Sequence, residues 1–260
     1  MELDIYTLQT EKDLQHKLEM LFDEWKSSIV SNDNTAPVKY FVEDGFYPYY
    51  TNQKIKILFV GRECLGLNGE NFIDVMYPAY KEYKQIGKIP LNRANTHNRM
   101  FYITYGLLHQ PECKCYHDMP RASEIADDFA TNKGVSFAFM NLSKFSNESG
   151  GWKSDWNLIN RFVLASKNEK CNFYNKEIEL LDPDVIITMN FGAEKIEVLG
   201  EYSDYLYGED VSSYNLKVGD DKEIPLFDMW HFAAVRKNFD KSYYSPLIDR
   251  IKQLRLSFNV

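Results

Sequence analysis

At 260 residues with 44% hydrophobic side chains, the chain can bury one substantial core, and a single large domain spanning 1–260 is expected rather than two small ones. Thirty basic residues against 38 acidic ones leave a net charge of -8, which argues against a general nucleic-acid coat, where a basic footprint is expected. The opening MELDIYTLQTEKD has no basic n-region and no apolar h-region, and no apolar run approaches a membrane span, so a cytoplasmic protein is expected.

Residues 10–29 (TEKDLQHKLEMLFDEWKSSI) carry Leu14, Leu18, Leu21, Phe22 and Trp25 at helical spacing, with Thr10 as the cap. This helix and the aromatic segment FVEDGFYPYY form an N-terminal extension over residues 1–50. Four short apolar runs then read as strands: KIKILFVG (54–61), VSFAFMNL (135–142), DVIITMN (184–190) and IPLFDMW (224–230). Helical patterns fill the gaps. NTHNRMFYITYGLL places Met100, Ile103, Thr104 and Leu107 on one face, and SDWNLINRFVLA groups Trp156, Ile159 and Val163 behind an N-cap at Ser154. Pro183 stops a helix just before the third strand, and SYYSPLIDRIKQLRL closes the chain on Leu247, Ile251 and Leu254. Between the third and fourth strands, residues 201–223 hold seven acids and two lysines, a net of -5, and read as an acidic surface insertion. Alternating strands and helices, with strands apolar on both faces, predict an α/β fold: a three-layer α/β/α sandwich around a four-stranded parallel sheet.

In open parallel sheets, ligands bind at the carboxyl ends of the strands. Here the first strand ends in Gly61-Arg62-Glu63, the second in Asn141 and the fourth in His231. A carboxylate, an amide and an imidazole are thus expected on one edge. Each has a plain structural role open to it: an acid at a helix N-terminus, a turn-forming amide, a buried histidine bonded to a carbonyl. Their convergence is the stronger observation.

The order VGRECLG, NF, NRMFYITYGLL, FMNLSKF, LDPDVIITMNFGA, MWHFAA resembles the uracil-DNA glycosylase superfamily over residues from about 54 to about 240. Asn98-Arg99-Met100-Phe101 is similar to the N-R-F-W segment of its mismatch-specific uracil/thymine branch. The resemblance implies a uracil-DNA glycosylase-like fold and excision of uracil or a related damaged base from DNA. Glu63 falls where the family's water-activating Asp or Asn sits, Phe72 where an aromatic stacks on the base, Asn141 where an amide reads it, and His231 beside the leaving base. Gly61 and Arg62 belong to the same binding motif. Cys64 stands where the family has proline, HFAA replaces H-P-S, and Glu63 is one methylene longer than the family aspartate.

Arg93, Arg99, Arg236 and Lys237 are the expected DNA-contacting cations, since a few phosphate contacts can hold a strand despite net negative charge. The expected partner is DNA, single- or double-stranded, or a free nucleobase or nucleotide. The protein is expected to act as a monomer away from membranes. The four cysteines read as thiols. His109, Cys113, Cys115 and His117 include zinc-ligating types, but their C-x-C spacing departs from C-x2-C. No metal or other cofactor is expected. Two other functions fit the same residues: a non-catalytic nucleobase- or nucleic-acid-binding module, and an N-glycosidase acting on nucleosides or nucleotides.

Overall fold

Every residue from Ile57 to Gly61 is buried, as expected of a strand covered on both faces. The structure, a computed structural model, describes residues 5–151 and 153–256. In it this run is the hub of a seven-stranded mixed sheet. The elements are α1 (Gln9–Asn32), β1 (Gly45–Phe46), β2 (Ile57–Leu65), α2 (Phe72–Lys81), a β3–β4 ribbon (Gln85–Ile86, Ile89–Pro90), α3 (Asn95–Leu108) and α4 (Ala122–Ile125). They continue as β5 (Ala138–Asn147), α5 (Trp156–Ala165), α6 (Phe173–Leu181), β6 (Val185–Met189), α7 (Ala193–Leu199), β7 (Tyr202–Leu206), β8 (Val211–Val218), β9 (Lys222–Met229) and α8 (Ser245–Gln253).

The sheet order is β1-β5-β2-β6-β9-β8-β7. The pairs β5–β2, β2–β6 and β6–β9 are parallel, while β1, β8 and β7 join antiparallel. The sheet is therefore wider than the four-stranded one expected from the apolar runs. The difference lies mainly in the acidic segment, which is not a surface loop but forms β7, β8 and the start of β9. Its strands have one solvated face: Val211, Ser213, Tyr214, Leu216 and Val218 are buried, while Ser212 and Asn215 are half-buried and Lys217 is exposed. A half-solvated antiparallel strand dilutes its apolar signal among charges.

Side chains alternate across β2 into two cores. Ile57 and Phe59 pack with Phe72, Met76, Phe101 and Leu247 from α2, α3 and α8. Leu58 and Val60 pack with Trp25, Ile159, Phe162 and Ile178 from α1, α5 and α6. Helix α1 is thus part of the second core. It starts after Leu8 without a side-chain cap, so Thr10 lies inside it. The cap of α5 is Asp155, whose carboxylate accepts from Asn157 N and Leu158 N, and not Ser154.

Candidate functional site

Strand β2 outlasts its neighbour β6. The last β2–β6 partners are Val60 and Thr188, whereas β5 stays paired with β2 through Gly61↔Asn141 and Glu63↔Ser143, with an irregularity before Leu65. Gly61, Arg62, Glu63 and Cys64 therefore sit on a projecting strand end and not in a loop after it.

Two groups of side chains form there. The first is buried. A Cβ on Gly61 would lie 2.8 Å from Asn141 Oδ1 and 2.8 Å from a ring carbon of Phe139, so only glycine lets the amide approach β2. Asn141 N donates to Asp44 Oδ2 (2.7 Å), and its side-chain Nδ2 donates to Cys64 Sγ (3.0 Å). Burial, with Asp44 nearby, pushes the Cys64 thiol well up, so the sulfur is a neutral acceptor. Phe72 opens α2 behind the N-cap Asn71 and stacks on Phe139, with centroids 4.4 Å apart and planes at 14°.

The second group is partly open and centres on Arg62. Its Nη2 donates to Asn190 O (3.0 Å), its guanidinium lies 4.9 Å from the Trp156 ring centroid, and its Nε is buried without a partner among the described residues. Burial lowers its pKa, while Glu63 and Asp228 act in the opposite direction. Glu63 Oε1 accepts from Asp155 N at 2.9 Å, tying the strand end to the start of α5. His231 follows β9. Its Nδ1 accepts from Ala233 N (3.2 Å), and burial, helped by the Arg62 and Arg99 cations, pushes its pKa down to about 4. Thus Arg62, Glu63 and His231 form one group, and Gly61, Phe72 and Asn141 the other, joined through β2.

The expected DNA-contacting cations divide. Arg93 and Arg236 are exposed. Lys237 lies 3.7 Å from the Trp230 ring centroid and 3.7 Å from Asp210 Oδ1. Arg99 is not at the surface. It is buried, stacks on Tyr243, and donates to Tyr243 Oη and to the carbonyls of Phe232, Ala234 and Lys237. Its planar fork is spent on backbone acceptors, so it shapes the loop after His231 and does not touch a phosphate.

Several contributors are not evident from the sequence. Asp228, inside an apolar run, accepts from Thr188 Oγ1 (2.7 Å), Phe191 N (2.9 Å) and Gly192 N (2.9 Å), and so fixes the turn that presents Asn190. Trp156 fits a helical core pattern yet is 38% exposed beside Arg62. Only the caps at Asp155 and Gly192, which set where α5 and α7 begin, give a local sequence signal. In the 109–117 segment, His109 stacks on Tyr105 (3.9 Å) and Cys115 Sγ contacts Asp118 (3.5 Å). Among the described residues, no group of three or more His, Cys, Asp or Glu side chains could hold a metal ion. Among the same residues no helix is long and apolar enough to cross a membrane.

No protein-family model matches the chain, and no curated protein or solved structure is significantly similar to it.

Proposed function

We propose that the protein is a DNA base-excision glycosylase that hydrolyses the N-glycosidic bond of uracil or a related damaged base on a uracil-DNA glycosylase-like three-layer sandwich. The parallel run β5-β2-β6-β9, with helices packed on both faces, supports the fold part of this reading. One observation carries the chemical part: the state of His231. Its Nδ1 is an acceptor and its pKa is about 4, so at neutral pH the ring is uncharged with its hydrogen on Nε2.

Glycosidic cleavage passes through an oxocarbenium-like sugar while negative charge collects on the departing base. An Nε2–H donor already in place stabilises that charge where it develops, and the half-buried Arg62 guanidinium adds positive potential beside it. Glu63 has Oε1 engaged by Asp155 N and Oε2 left to orient water and favour the sugar cation. The base must come from a single strand or be extruded from a duplex. Asn141 offers a donor and an acceptor, matching the O4 and N3–H of uracil once its amide leaves Cys64. Phe72 supplies a ring at the same place. On this reading Val235, 82% exposed in the loop that Arg99 holds, would meet the minor groove, and the exposed Arg93 and Arg236 would contact phosphates. This chemistry calls for no metal or redox cofactor.

The test is uracil release from single- and double-stranded oligonucleotides. Glu63→Gln and His231→Ala are each expected to lower the rate by roughly 10²–10⁴-fold. A second reading, a non-catalytic nucleobase- or strand-binding module, is favoured by one feature: Phe72 is already stacked on Phe139 and the Asn141 amide already engaged by Cys64. Wild-type protein that retains uracil or a single strand without releasing base would establish that reading in place of the first.

A further inference from the structure

Trp156 is the first residue of α5, and an amphipathic helix normally turns such a side chain inward. Here it is 38% exposed, and two cations approach its ring: the Arg62 guanidinium at 4.9 Å and the Lys195 ammonium at 5.8 Å from the centroid. The indole N–H donates to no protein group among the described residues. Lys195 is steadied by Asn160 Oδ1 at 2.7 Å, one turn further along α5. Beyond Trp156 the exposed face of α5 continues into a cleft of about 400 Å³ whose lining includes Asn157, Asn160 and Arg161.

We infer that Trp156, flanked by Arg62 and Lys195, is a stacking platform for an unpaired nucleobase of a single-stranded nucleic acid, with the adjoining phosphate on Lys195. This deepens the proposed function and rests on it for the identity of the ligand. The ring attracts a flat π-system, and the two cations beside it attract an anion and repel a cation, so a neutral base carried on a phosphodiester fits and a cationic ligand does not. The buried Nε of Arg62 has no partner among the described residues, so its guanidinium is not locked by a full set of hydrogen bonds. The platform is open and leads along α5 toward a mixed cleft between α5 and the end of α1, lined also by Asn32, Asp33 and Leu164, which suits a unit within a strand better than an enclosed mononucleotide. Glu63 binds the amide of Asp155, the residue before Trp156, so a strand held there passes beside the carboxylate proposed to orient water.

The experiment is binding of a fluorescently labelled oligothymidylate, which contains no uracil, by anisotropy across a salt series. Wild type is expected to bind, and Trp156→Ala to weaken binding by about 5- to 150-fold, the range for loss of one base–aromatic stack. Trp156→Phe, which keeps a ring, is expected to retain most of the affinity. Lys195→Ala should reduce the slope of log K against log salt by about 0.7, as for one phosphate contact on a single strand. No binding by wild type, or Trp156→Ala within two-fold of it, overturns the inference. Uracil release measured on the same variants separates the two claims. Trp156-dependent binding without release overturns the glycosylase reading and leaves the platform standing, whereas release with binding indifferent to Trp156 does the reverse.

Discussion

The absence of one side chain sets how closely β2 and β5 approach at the strand end. At Gly61 the Asn141 amide and the Phe139 ring occupy the space a methyl group would need, each 2.8 Å from it. Neither can retreat freely, since Phe139 is sandwiched with Phe72 and Asn141 donates to both Asp44 and Cys64. Gly61→Ala is therefore expected to cost about 1–3 kcal/mol through overpacking. In a chain of this size that is a fall in melting temperature of about 2–12 °C, read by calorimetry. On the proposed function it also abolishes uracil discrimination, because the amide that would read the base is the group displaced. An unchanged melting temperature would mean that the two strands have room to part. Arg62 illustrates the opposite economy. Leaving its buried Nε unpaired costs about 1–3 kcal/mol, a cost found more readily at a binding site than in a core built only for packing.

At the level of elements, the loop after His231 is held from beneath. Arg99 on α3 donates to the carbonyls of Phe232, Ala234 and Lys237, and Tyr243, ahead of α8, donates to the His231 carbonyl at 3.0 Å. Replacing Arg99 with lysine keeps the charge but loses the fork, so three buried or half-buried acceptors cannot all be satisfied. Arg99→Lys is expected to destabilise by about 2–3 kcal/mol and to speed amide exchange from Ala233 to Asn238, measured by hydrogen–deuterium exchange. If exchange there matched wild type, the loop would owe its shape to Tyr243 alone. Arg99 was legible in the sequence as one of a cluster of basic residues but not as a buried one, because hydropathy reports charge and cannot report a guanidinium that meets three carbonyls and a phenol. The same limit governs the strands. The apolar runs 54–61 and 135–142 mark β2 and β5, yet the observed strands run on to Leu65 and Asn147. Their last residues are mostly polar and are held by backbone pairing, which composition does not register. The candidate site lies on that polar extension, so its residue types were legible and its partition into two groups was not. Helical spacing groups Trp156 with Ile159 and Val163, but spacing alone cannot tell a ring packed inward from one left partly exposed beside two cations.

On the scale of the molecule, the second core contains a charged centre that joins three segments distant in sequence. Lys144 of β5 lies 2.5 Å from Asp44 Oδ1 and 2.8 Å from Glu177 Oε2 of α6, and all three side chains are fully buried. The rings of Phe22 and Trp25 lie 5.3 and 5.6 Å from the ammonium. Asp44 also holds the Asn141 amide nitrogen (2.7 Å), so this centre and the candidate site share a carboxylate. Burial alone would push the Lys144 pKa down, but the two carboxylates hold it above its ordinary value. Burial, reinforced by Asp44 and opposed by Lys144, pushes the Glu177 pKa well up, which favours its protonated form. Removing the cation strands the Asp44 carboxylate: Lys144→Met is expected to cost about 3–5 kcal/mol, or roughly 6–20 °C in melting temperature. Glu177→Gln should behave differently, since the amide mimics the protonated acid. With a folded pKa above the 4.5 of the unfolded chain, Glu177 contributes stability that is complete below pH 4.5 and lost as pH rises through the folded value. His97, hydrogen-bonded to Tyr80 Oη (2.6 Å), and His231 run the other way. Burial pushes both from 6.5 to about 4, so their contribution is present above pH 6.5 and lost as pH falls through 4. Because the histidines are common to both proteins, subtracting the two melting curves isolates Glu177. The melting temperature of Glu177→Gln should gain steadily on wild type as pH rises above 4.5, and a difference that stays flat with pH would mean that the buried centre holds two ionised carboxylates around a single lysine.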